Sequence, residues 1–139
     1  MIRELFIQGG IGMFPLAFFS FQALALILYL SKVLYFTEKK LLDSKLLFGI
    51  LRKINWLSHI ASLSTLTGLL GTVLGIRKSF QDMMDAGSLS LETFSSGIGQ
   101  ALLTTIFGLF IAIPSLVFYH IFLDRLEVIE ESLDIDKRN

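Results

Sequence analysis

Three long stretches of this chain contain no Asp, Glu, Lys or Arg: Leu5–Ser31, Ile54–Ile76 and Thr93–Leu123. Each exceeds the roughly 20 residues a helix needs to cross about 30 Å of hydrocarbon. In lipid a spanning segment must satisfy its backbone internally, so runs of this length and composition dictate helices. A soluble three-helix bundle needs a wide polar face on each helix, and none of the runs has one. The expected fold is therefore all-α, a polytopic membrane protein with three transmembrane helices. The second and third helices are expected to extend beyond the bilayer.

Span boundaries follow from local signals. Gly9, Gly10 and Gly12 interrupt the first run, and Pro15 suits a helix start, where its missing N–H costs nothing. The spans are expected at about 13–35, 54–80 and 93–123 of a single membrane domain covering 1–139. A connection at 36–53 and a tail at 124–139 complete it. The second helix is expected to pass Arg77, with a turn at Ala86-Gly87-Ser88 and Ser90 with Thr93 as a cap. The tail keeps Leu126, Ile129 and Leu133 at helical spacing and is expected to continue the third helix.

Charge sets the orientation. Of the twelve Lys and Arg, nine fall in the Lys32–Lys53 connection or the tail. With three spans those two segments share a side, so that side is expected to be cytoplasmic, with the N-terminus periplasmic. The connection is net basic and the tail net acidic, which allows them to pair. No secretory leader is expected at the N-terminus.

Composition excludes several functions. Hydrophobic residues make up 53% of the chain and the net charge is zero, so nothing favours nucleic-acid binding. There is no cysteine, and two distant histidines make no metal site. No catalytic constellation or phosphate-binding loop is present, so an enzyme, a metal and a cofactor are not expected.

Chemistry is confined to small and hydroxyl side chains. On the second span Ser58, Ser62, Thr65, Gly68, Thr72, Gly75 and Ser79 recur at steps of three or four, one nearly straight stripe. Gly71 and Gly75 form a second close-approach pair. The third span repeats the theme with Gly97, Ala101, Thr104 or Thr105, Gly108, Ala112 and Ser115 on one side. Two readings are open for these stripes. They let helices pack closely in lipid, or they line a water-containing interior. Pro114 is either a packing kink or a hinge, and it frees the carbonyl near Phe110. His59 and His120 lie near the expected cytoplasmic face, either as proton relays or as interfacial anchors. Proton pathways ordinarily use intramembrane ionisable groups. The three uncharged runs hold no Asp, Glu, Lys or Arg, so a carrier is expected on another chain.

LTGLLGTVLGIRKSF (Leu66–Phe80) and GIGQALLTTIFGLFIAIPSLVFY (Gly97–Tyr119) resemble the second- and third-helix motifs of the MotA/TolQ/ExbB proton-channel family, in the family's order. GGIGMFPLAFFSFQALALILYL resembles its first span. The resemblance implies a subunit that harnesses the proton motive force of a bacterial inner membrane. It implies a homo-oligomer, a pentamer, around a single-span partner of the ExbD, TolR or MotB type whose intramembrane aspartate carries the proton. A TonB-like protein would be energised downstream. Two threonines that line the family's interior map to Thr72 and Thr105, while Thr104 stands where alanine is commoner. Thr65 and Ser115 are further lining candidates, and Gly68, Gly71, Gly75, Gly108 and Pro114 are packing candidates. His120 stands where ExbB relatives tend to carry Asn. The short connection after the first span departs from the family's large cytoplasmic insertion, which counts against a flagellar stator. An ExbB-type subunit for TonB-dependent uptake is the expectation, with a TolQ-like role or a non-conducting scaffold as alternatives. Counting inward from the expected turn at about 1.5 Å per residue, Thr72 and Thr105 reach similar depths of roughly 22 and 18 Å.

Overall fold

A computed structural model describes residues 13–36, 44–85 and 91–138. Among them every residue is helical. Helix α1 spans Met13–Phe36, α2 Ser44–Asp85 and α3 Leu91–Arg138. All three are long and apolar enough to cross a membrane. The Gly9–Gly12 interruption, the turn at 86–88 and the Ser90–Thr93 cap fall outside the residues or side chains described.

Helix length decides how much of each element a bilayer can hold. The 24 residues of α1 measure about 36 Å, close to one membrane crossing. With 42 residues, α2 measures about 63 Å, and the 48 residues of α3 about 72 Å. Both must therefore project well beyond the hydrocarbon. The helical portion of the connection is longer than its polarity suggests: α2 begins at Ser44, so residues 44–53 continue the second helix rather than forming part of a loop. The cause is burial. Leu47, Ile50, Ile54 and Leu57 are all buried, spaced three and four apart, along one side of α2. The tail remains helical to Arg138, with Leu126 and Ile129 buried. Pro15 lies in the first turn of α1, where a proline breaks no hydrogen bond. Pro114 sits inside an unbroken α3.

The fold is an antiparallel α2–α3 hairpin with α1 packed along it. Its seam keeps one register throughout. A Cβ at Gly75 would meet Ala101, one at Gly68 would meet Thr104 and Thr105, and one at Gly108 would meet Ser64. Continuing that register by turns pairs Leu57 with Tyr119, Ile54 with Phe122, Ile50 with Leu126 and Leu47 with Ile129. The seam therefore changes character along its length. Towards the connection it is large and apolar, with Leu30 and Leu34 of α1 completing a buried cluster. Towards the turn it is glycine, alanine, serine and threonine.

Physical reasons support that division. Water drives large apolar side chains together, whereas lipid supplies no such force between helices and favours close backbone approach. Two cation–π contacts tie α1 to the hairpin near the boundary. Lys53 Nζ lies 3.8 Å from the Tyr29 ring centroid, and the Arg125 guanidinium carbon 5.2 Å from that of Tyr35.

The glycine contacts can be tested directly. A Cβ at Gly68 would lie 2.9 Å from the Thr104 carbonyl oxygen, and one at Gly108 2.6 Å from that of Ser64. Backbone cannot move aside cheaply, so Gly68→Ala and Gly108→Ala should each destabilise the protein by about 1–3 kcal/mol. Gly49 has nothing within 4 Å of such an atom. Gly49→Ala should be neutral or stabilising by up to about 1 kcal/mol. Thermal unfolding of the three variants in one detergent gives the comparison.

Candidate functional site

Midway along the small-residue half of the seam, three hydroxyls and two backbone carbonyls converge. Gly68 makes this possible, because without a side chain α3 comes near enough for its threonines to reach the α2 backbone. Thr104 Oγ1 donates to Gly68 O at 3.1 Å or to Ala101 O at 2.8 Å. Thr105 Oγ1 is 3.0 Å from Gly68 O. Thr72 Oγ1 is 3.3 Å from Gly68 O and 3.2 Å from Ala101 O. Thr72 and Thr105 also bond to each other through their hydroxyls.

Counting protons shows what this cluster can do. Gly68 O and Ala101 O each already accept a helix N–H, leaving one lone pair apiece for a side chain. Three hydroxyl protons compete for those two positions. The third bridges Thr72 and Thr105, where either oxygen can donate. The cluster is thus satisfied in more than one arrangement. One hydroxyl can turn its proton towards a carboxylate, and hydroxyl lone pairs remain to accept from a carboxylic acid. Such a site can hydrogen-bond an acid in both of its protonation states, which removes part of the cost of charging it in a low dielectric.

The other sequence candidates separate into two faces. Thr65 shares the Thr72 side of α2, is exposed, and bonds back to Ala61 O at 3.1 Å. Ser62 is exposed as well, bonding to Ser58 O at 3.2 Å. The single stripe expected from Ser58 to Ser79 is therefore two stripes. Gly68, Gly75 and Ser79 lie on the seam; Ser62 and Thr65 lie one helical step round, on the face turned away from α1. Ser115 is fully buried, bonds to Ile111 O at 2.7 Å, and borders a notch of about 200 Å³ with Pro114, Ser20 and Ala23 of α1. Ser115 shares the buried row of Thr104, Gly108 and Ala112 and lies about 80° round α3 from Thr105. His59 stacks edge-on with Trp56 and His120 with Tyr119, both histidines exposed. The structure does not bring either to the threonines.

Sequence reasoning missed Ser64. It is fully buried on the seam one turn from Gly68, and its hydroxyl has no partner among the described residues. The signal was available: Ala61, Ser64 and Gly68 continue the Ile54–Leu57 spacing, whereas Ser62 and Thr65 do not. An open groove of about 610 Å³, lined by Pro15, Leu74, Lys78, Asp82, Gln100 and Thr104 among others, flanks the cluster on the α1 side. Among the described residues no cluster of His, Asp or Glu could hold a metal ion.

A profile of the MotA/TolQ/ExbB proton channel family matches residues 42–135. The biopolymer transport protein ExbB of Aquifex aeolicus is 37% identical over 139 residues, covering 96% of this chain and 88% of that one. The ExbB of Helicobacter pylori is 43% identical over 70 residues, 50% of this chain and 48% of its own. The Tol-Pal system protein TolQ of Pseudomonas aeruginosa is 39% identical over 74 residues, 53% of this chain and 32% of its own. The chain thus spans about a third to a half of the length of the latter two. No solved structure matches it.

Ser64 supplies a test of the seam. A buried hydroxyl without a partner carries its desolvation cost uncompensated. Ser64→Ala should therefore leave thermal stability unchanged or raise it by about 1 kcal/mol, measured as for the glycine variants.

Proposed function

Because the chain belongs to the MotA/TolQ/ExbB proton channel family, we propose that it is an ExbB-type subunit of a proton-driven inner-membrane motor. It acts as a homo-oligomer, a pentamer, around an ExbD- or TolR-like single-span partner. That partner's intramembrane aspartate carries the proton, and the complex energises work at the outer membrane, TonB-dependent uptake in particular. No enzymatic step is part of this reading.

The observation that carries it is the Thr72–Thr104–Thr105 cluster, in spans with no acid of their own. Its spare hydrogen-bonding capacity suits an acid that must gain and lose a proton in a low-dielectric interior. Thr72 and Thr105 face the guest, Thr65 extends that face, and Thr104 supports the pair from the seam. Gly68, Gly71, Gly75 and Gly108 hold the helices close enough for the cluster to form. In this reading Ser115 and Pro114 pack against α1, and His59 and His120 sit at the cytoplasmic boundary. The likeness to the Aquifex ExbB over 96% of this chain is the ground on which an ExbB-type role is preferred in this reading.

Thr72→Val and Thr105→Val keep side-chain shape and remove the hydroxyl. Both should insert and assemble, yet lower partner-dependent proton flux in proteoliposomes by about tenfold or more, equivalent to one lost charge-assisted hydrogen bond. Thr104→Val should have a smaller effect. Parental flux in both principal variants would identify a packing role and favour a non-conducting scaffold.

Orientation has a separate test. In this reading the nine basic residues within the connection and tail put both segments on the cytoplasmic side. The chain has no cysteine, so Ser44→Cys gives a unique probe. In intact cells an impermeant maleimide should fail to label it until the inner membrane is opened.

A further inference from the structure

The projecting part of the hairpin carries two unlike stripes. On α2, Phe48, Arg52 and Trp56 follow steps of four and point away from the seam. Phe48 is 70% and Trp56 50% exposed, and Arg52 is exposed. On α3, Asp124, Glu127, Val128 and Glu131 also point outward and are exposed. The nearby cations Lys53 and Arg125 are turned towards α1 rings instead. Among the described residues none of Arg52, Asp124, Glu127 and Glu131 has an ion-pair partner within the chain. A basic, aromatic stripe and an acidic, aliphatic one are thus left uncovered on two sides of one protein.

Their heights match. The seam register that pairs Ile50 with Leu126 and Ile54 with Phe122 sets Arg52 level with Asp124, Phe48 with Val128 and Trp56 with His120. Copies sharing a membrane have one orientation and one depth. A closed ring relates them by pure rotation, without axial shift. Stripes at equal height on opposite sides of one copy therefore meet face to face between neighbours. Charge complementarity and height agree on one occupant, a second copy of this chain.

We infer that the Phe48–Arg52–Trp56 stripe of each copy docks on the Asp124–Val128–Glu131 stripe of the next, forming the ring contact outside the membrane. This rests on the homo-oligomer reading above and adds the surface that closes it. Phe48 covers Val128, and Arg52 faces Asp124 with Glu127 beside it. Water surrounds this part of the hairpin, so apolar burial acts here as it cannot between lipid-facing helices. The opposite charges set which neighbour fits, since like charges brought together would repel.

The test uses full-length chains co-expressed with their partner, in native membranes. Arg52→Cys chains with one tag are mixed with Asp124→Cys chains with another, and a short bis-maleimide is applied. Links can then form only between copies. The expected product joins the two tags, while Arg52→Cys chains alone give none. Separately, Arg52→Glu and Asp124→Lys should each weaken association about tenfold, and the double variant R52E/D124K should restore it. An oligomer that persists by native mass spectrometry without the 52–124 product, or with a 52–52 product, overturns the docking surface and leaves the oligomer standing. Chains that stay monomeric in lipid overturn both.

Discussion

Everything in this protein depends on how closely α2 and α3 approach. At Gly68 and Gly108 the two backbones are so near that a single added carbon would collide with a carbonyl of the opposite helix. In lipid that proximity must come from shape, because apolar side chains gain nothing by leaving hydrocarbon for one another. Glycine on both helices provides it. The approach then places α3 threonines within reach of an α2 carbonyl, a contact two ordinary helices would not make. Packing and chemistry are here the same event.

The hydroxyl cluster differs from a fixed binding site in being degenerate. Three protons share two carbonyl positions and one hydroxyl bridge. A site tuned to one protonation state of an acid would trap it there, shifting its pKa by the interaction it favours. A site that answers both states lets the acid exchange its proton without a large penalty either way. That property comes from threonine, which donates and accepts. Asn would add a second donor and a fixed carbonyl, while Lys or Asp would add a charge of its own.

The two halves of the hairpin differ in composition. The seam is Gly, Ala, Ser and Thr towards the turn, and Leu, Ile and Phe towards the connection. Leu57 and Ala61 mark the change on α2, and Ser115 and Phe122 on α3. The aromatic and cationic pairs Tyr29–Lys53 and Tyr35–Arg125 gather at the same level, as expected where rings and charges meet a membrane surface.

Much of this was legible in one dimension. The length of each uncharged run specified three helices, because lipid allows no other unpaired backbone. Small residues at helical spacing announced close packing, and the two motif stretches pointed to the family. Two features needed the tertiary structure. Periodicity near 3.5 cannot by itself tell Ser64 from Thr65, since adjacent residues differ by only 100° and both rows contain hydroxyls; only the partner helix selects the row that becomes the seam. Nor could charge reveal that residues 44–53 are helical, because their polar residues read as a loop until Leu47 and Ile50 find Ile129 and Leu126 across the hairpin. Sequence determined what each helix was made of, and the meeting of two helices decided which side of each became chemistry.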